Sequence, residues 1–225
     1  MNLERAISYP FDDEEWLKKI LIAGVINVVP IVNFAGWGYA LQAGKNVIEG
    51  QETPLPEWDD FGDFFVQGLL AFLAALIYAI PLGLLSCVMG VVDSVATAGP
   101  MGEAARLTIG LISFCFGLIW FLYGLLVDFV LPAALTKYVL SKEFADFFRF
   151  GEIFRYIGDN LGNYVIAFLV TIVVSVVAAL VGTLACLVGL LFTIPWAMLI
   201  IVHLFAQVYN ESDETSVDVE VEVSP

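Results

Sequence analysis

Four apolar stretches dominate the pattern of this chain. They run from about Val66 to Val92, Leu107 to Leu131, Val165 to Val181 and Leu184 to Val208. A helix crosses the hydrocarbon layer of a bilayer in about 20 residues. None of the stretches alternates as a barrel strand does, and backbone polar groups in lipid must be satisfied within their own segment, so each predicts a spanning helix. Tight turns are expected at Ala98-Gly99-Pro100 and near Gly182, the second short enough to close a helical hairpin. A fifth apolar region runs from Leu17 to about Ile48 and carries Pro30 near its middle.

Proline has no backbone N–H to donate and disfavours helix at the residue before it, so Val29–Pro30 is a natural break. The basic residues favour the same break. If the region were a single span, Arg5, Lys18, Lys19 and Arg106 would lie inside and Lys45, Lys137, Lys142, Arg149 and Arg155 outside. If the chain turns back near Pro30-Ile31-Val32-Asn33, only Arg106 lies outside, which is the cytoplasmic excess of Lys and Arg that membrane proteins carry. The pattern therefore predicts an all-α polytopic bundle of about six membrane segments. The first two form a hairpin with short arms, and both termini are cytoplasmic.

Two segments between the spans are amphipathic. In one, Trp58, Phe61 and Phe65 share a helical face away from Glu57, Asp59, Asp60 and Asp63; in the other, Phe144, Phe147, Phe148 and Phe154 gather apart from Glu143, Asp146, Arg149, Glu152 and Arg155. Both predict helices lying in the membrane interface, a loop packed on the bundle being the alternative. They also expose an internal duplication. Phe61–Phe65 and Phe150–Phe154 match as F-G-acid-x-F, each follows a similar helix end, and each precedes a long apolar span, giving repeat-like units of about 31–92 and 105–181. Small residues recur at helical spacing: Gly110, Gly117 and Gly124; Ala71, Ala75, Ala79 and Gly83; Gly36, Ala40 and Gly44. Such rows let helix backbones approach closely, and packing within one bundle is the reading preferred over a glycine-lined pore. The expected organisation is one helical domain, 1–209, followed by an acidic, disordered tail, 210–225, dispensable for folding.

Composition settles the class. Of 225 residues 60% are hydrophobic and 15% charged, against about 45–50% and about 25% in soluble domains. Nine Lys and Arg against 24 Asp and Glu give a net charge of −15, which argues against nucleic acid or an anionic membrane surface as the main partner. Cys87, Cys115 and Cys186 lie in apolar stretches without metal or disulfide spacing, and read as plain thiols. The polar, acidic first nineteen residues predict no cleavable signal peptide. No catalytic motif is present, and no cofactor or metal is expected. Two ionisable residues stand within apolar runs, Asp128 and His203, the latter one turn from Gln207. Such groups are expensive in lipid and mark either a polar pathway or hydrogen-bonded positions near span ends. Asn27, Asn33 and Gln42 read as helix-to-helix hydrogen bonds.

The strings SYPFDDEEWLKK, the Pro30–Leu41 stretch ending in GYAL, LPEWDDFGDFFVQGL and HLFAQVY together resemble the DUF4013 family of prokaryotic membrane proteins, over the chain up to Tyr209. The resemblance implies a bacterial or archaeal plasma-membrane protein, and no activity, since the family is itself of unknown function. The leading reading is a non-enzymatic structural or accessory component of a membrane assembly. Its partners are the lipid bilayer and other membrane subunits, or a second copy packed through small-residue helix faces. The alternative is a small transporter or channel using Asp128 and His203, and the third reading is an intramembrane enzyme acting on lipid. A transporter needs a polar path through the bundle, an accessory protein a dry core, and an enzyme several polar groups in one cleft near the interface.

Overall fold

A computed structural model describes residues 2–99, 102–185 and 188–223, with side chains as far as Ser212. The described residues are helical apart from turns and short connections. In order, the helices are α1 (Leu3–Ser8), α2 (Trp16–Val28), α3 (Asn33–Ile48), α4 (Phe61–Thr97), α5 (Glu103–Ser141), α6 (Phe150–Asp159), α7 (Leu161–Leu184) and α8 (Leu190–Val223). Four stretches are long and apolar enough to cross a membrane: Trp58–Thr97, Glu103–Ser141, Leu161–Leu184 and Leu190–Ser212.

The α2–α3 hairpin breaks where proline chemistry requires. Val29, held out of the helical region by the following ring, ends α2 at φ −84°, ψ 115°, and Ile31 takes a left-handed φ of 72°. At 13 and 16 residues the arms reach only about 20 and 24 Å, short of the roughly 30 Å hydrocarbon layer. Both arms pack on α8 and on each other.

Packing divides the chain into two compact units, Met1–Phe72 with Pro132–Pro225, and Leu73–Leu131. The reason is side-chain burial. Most large residues of Leu73–Leu131 are exposed, whereas Tyr9, Tyr39, Tyr138, Phe147, Tyr164, Leu199 and Leu204 form a fully buried core in the first unit. In that unit glycines set the helix contacts. A Cβ on Gly38 would fall on the Phe64 carbonyl, one on Gly68 on the Phe34 carbonyl, and one on Gly24 on the Leu191 carbonyl. Of the predicted rows, Gly36 and Gly44 are packed, against Asn27 and Val202, while Gly83, Gly110, Gly117 and Gly124 have open space where a Cβ would sit.

Of three boundaries, two differ from expectation and one agrees. The first amphipathic segment is no separate helix: a 3-10 turn, Trp58–Asp60, runs straight into α4 because no breaker separates Phe61 from the apolar run. The second is separate, since Gly158-Asp159-Asn160 ends α6 and the Asn160 amide donates back to the Tyr156 carbonyl at 2.9 Å. The turn expected at Gly182 lies after Leu184, and Gly182 instead receives the side chains of Leu190 and Thr193. Pro100, of the other expected turn, and Cys186 lie outside the described residues, and Cys87 and Cys115 are exposed thiols.

The backbone of α8 continues to Val223, since extending a formed helix costs far less than nucleating one. Its first residues are engaged: Asn210 donates to the Val47 carbonyl at 3.4 Å, and Glu211 accepts from Asn163 at 2.6 Å. The globular contacts therefore extend past residue 209.

Candidate functional site

The polar groups of the first unit converge on two nodes. The first forms at the start of α2. Lys19 is only 3% exposed, and its ammonium reaches Asp13 Oδ2 at 2.7 Å, Glu57 Oε1 at 2.6 Å and the Leu55 carbonyl at 3.2 Å. Three acceptors match the three donors of an ammonium group. Asp13 Oδ1 also accepts the Glu15 N–H at 2.8 Å, which shapes the turn leading into α2. The indole of Trp58 donates to the Lys19 carbonyl at 3.3 Å and stacks on Tyr39 of α3, centroids 4.3 Å apart and planes within 3°. A lysine held this way is a fixed charge, tying residues 13–19 to residues 55–58. Its lone pair is not free for nucleophilic work.

The second node joins the N-terminal segment to α8. The buried Tyr9 donates its hydroxyl to the Leu199 carbonyl at 3.0 Å, and its ring lies 4.3 Å from the imidazole of His203. Gln207 Oε1 accepts the Asn2 N–H at 2.6 Å, and its amide nitrogen donates to the Asn2 carbonyl at 3.0 Å. These two bonds orient the amide, so its remaining N–H points to His203 Nδ1, 3.0 Å away. Nδ1 is then an acceptor and the imidazole proton sits on Nε2. Asn2 in turn caps α1 by accepting the Arg5 N–H at 3.0 Å.

The duplicated motif builds similar surroundings twice. Trp58 and Phe147 each stand three residues before F-G-acid-x-F, in a 3-10 turn, and each stacks on a tyrosine of the preceding helix: Tyr39 for Trp58, and Tyr138, at 4.4 Å, for Phe147. In the second copy Phe147 is fully buried against protein, while Phe150 and Phe154 are exposed. Lys137 of α5 grips Glu152 at 2.6 Å, and this bond holds the glutamate carboxyl below the usual carboxylate range. Arg149 adds a 2.8 Å bond to Asp146.

Of the residues singled out by sequence, His203 and Gln207 are brought together and buried or half-buried. Asp128 belongs to the Leu73–Leu131 unit, on an exposed position of α5. Gln42 donates to Asn46 of its own helix at 2.9 Å and accepts from Lys142, the residue after α5, at 3.3 Å, so neither bond joins two helices. Asn27 instead lies over Gly36 with both amide atoms buried and unpartnered. Among the described residues no group of three His, Cys, Asp or Glu side chains could hold a metal ion. Asp13, Lys19, Glu57 and Tyr9 were not legible as partners. Their strings stand out in the sequence, but nothing in the spacing says that a lysine ahead of an apolar run turns inward.

No curated protein and no solved structure matches the chain. One family model does, described as a protein of unknown function, DUF4013, over residues 22–187. The matched segment holds the second half of α2, all of α3 and both F-G-acid-x-F motifs, but not the SYPFDDEEWLKK and HLFAQVY strings, so the resemblance is narrower than those strings suggested. With most of its length matched, the chain belongs to the DUF4013 family of proteins of unknown function.

Proposed function

We propose that the protein is a non-enzymatic accessory component of a membrane assembly. The observation that carries this reading is the engagement of His203. The histidine that a proton or solute path would draw on is spent on a clasp: its Nδ1 is taken by Gln207, whose amide is otherwise occupied by Asn2. The Lys19 node likewise holds two chain segments together. Asp128, the other ionisable candidate, lies in the other unit.

Cross-linking in native membranes followed by purification tests the reading. A membrane protein that co-purifies at fixed stoichiometry supports it. Proton or solute flux in proteoliposomes that disappears in Asp128→Asn would overturn it in favour of the transporter alternative.

In the same proposal, the membrane is the plasma membrane of a bacterium or archaeon and both termini are cytoplasmic. The support is the eight-to-one distribution of Lys and Arg about the Pro30 hairpin. In a cysteine-free background, Gln51→Cys and Ser212→Cys should be protected from an impermeant thiol reagent in intact cells, and Thr97→Cys should react. Labelling of Gln51→Cys from outside would reverse the orientation of the hairpin.

A further inference from the structure

An apolar groove of about 260 Å³ lies on the first unit, walled by Phe11, Trp16, Ile20, Phe192, Thr193 and Trp196. Phe11 and Trp16 meet edge to face, centroids 4.8 Å apart. Besides the indole N–H of Trp16, the lining residues carry the Thr193 hydroxyl and the Trp196 indole N–H, both buried, and the accessible wall is apolar. The two sides of the groove differ. On α2 and α8 it is flanked by the exposed side chains of Leu17, Leu21 and Ile194. At the start of α2 it is bordered by Asp12, Glu14 and Glu15, all exposed. Arg5 pairs with Asp12 and Lys18 with Glu15, each at 2.7 Å, and Lys19 is held by Asp13 and Glu57. Glu14 has no ion-pair partner among the described residues. The rim therefore carries an excess of negative charge.

We propose that this groove holds one acyl chain of a membrane glycerolipid whose zwitterionic headgroup ends in an ammonium, with that ammonium at the Asp12–Lys18 rim. A methylene chain needs a wall without polar atoms and gains free energy with each group removed from water. The exposed leucines and Ile194 open the groove onto hydrocarbon instead of solvent. The acidic rim selects the headgroup: it attracts an ammonium, which aromatic rings such as Trp16 also favour, and it repels a lipid of net negative charge. This assignment does not depend on the accessory role.

The experiment uses the whole protein in nanodiscs doped with a photoreactive phosphatidylethanolamine, or with a phosphatidylglycerol bearing the same photoreactive chain, followed by peptide mapping. Adducts should concentrate on residues 11–20 and 192–196, with the ethanolamine lipid favoured about fivefold, the effect of roughly one elementary charge near a lipid surface. Glu14→Gln, an exposed substitution that leaves the wall intact, should shrink that preference. Phe11→Trp, which enlarges a half-exposed wall residue, should reduce labelling by both lipids. Equal labelling by the two headgroups, or adducts spread evenly over the exposed apolar faces, would overturn the assignment, as would a preference unmoved in Glu14→Gln.

Discussion

Gly38 and Gly117 are the same residue in the same kind of apolar helix, put to opposite use. Gly38, in the first unit, lets α3 approach until only a hydrogen fits before the Phe64 carbonyl; Gly117, in the Leu73–Leu131 unit, faces open space. The contrast extends to charge. The first unit buries Lys19 between carboxylates and His203 beside Gln207, whereas Asp128 of the second is exposed. A row of small residues thus permits close packing without causing it. What distinguishes the two units is whether a second backbone arrives at the row.

The comparison breaks most readily at Lys19. Lys19→Met removes the charge that compensates the buried Asp13 carboxylate, and should cost about 3 kcal/mol in detergent unfolding, as breaking a buried ion pair does. Adding Asp13→Asn should recover part of the loss, because the two residues are coupled and their effects do not add. A double variant as unstable as the sum of the singles would mean that Lys19 acts through packing alone.

Next in size is the glycine contrast itself. Gly38→Ala drives a methyl group into the Phe64 carbonyl and should destabilise the fold by about 2 kcal/mol, in the range of overpacked cores. Gly117→Ala should stay within about 0.5 kcal/mol of the parent, as substitutions away from contacts do. Matching thermal shifts for the two variants would erase the distinction between the units.

The smallest effect concerns the clasp. Gln207→Leu removes three hydrogen bonds on a partly exposed side chain and should cost about 1 kcal/mol, with earlier proteolysis at the N-terminal segment as its local signature. Unchanged proteolysis would return Gln207 to a surface role.

The element pattern was legible where the cause is local. The break at Pro30 follows from one ring, and α6 ends where Gly158, Asp159 and Asn160 stand together. The fusion of Trp58–Asp60 with α4 was not seen because amphipathicity identifies a face without saying where a helix stops. Composition reports what a segment favours alone, whereas the start of the tail continues a helix already formed, with Asn210 and Glu211 bonded to neighbours. Of the candidate residues, His203 and Gln207 stand one turn apart and share a hydrogen bond, while Asp128 was grouped with them only by being ionisable in an apolar run and lies in the other unit.

By itself the sequence determined that the chain is helical and apolar enough to enter a membrane, and where its first apolar region must turn. Those properties depend on composition measured against bilayer thickness and on the covalent geometry of proline, which any arrangement of the helices preserves. Only the tertiary structure decided which glycines touch a backbone, that Lys19 closes on Asp13 and Glu57, and that Tyr9 reaches Leu199 across 190 residues of chain. Contacts between residues so distant are selected by which helix faces meet, and the periodicity of a single helix names its faces without naming their partners.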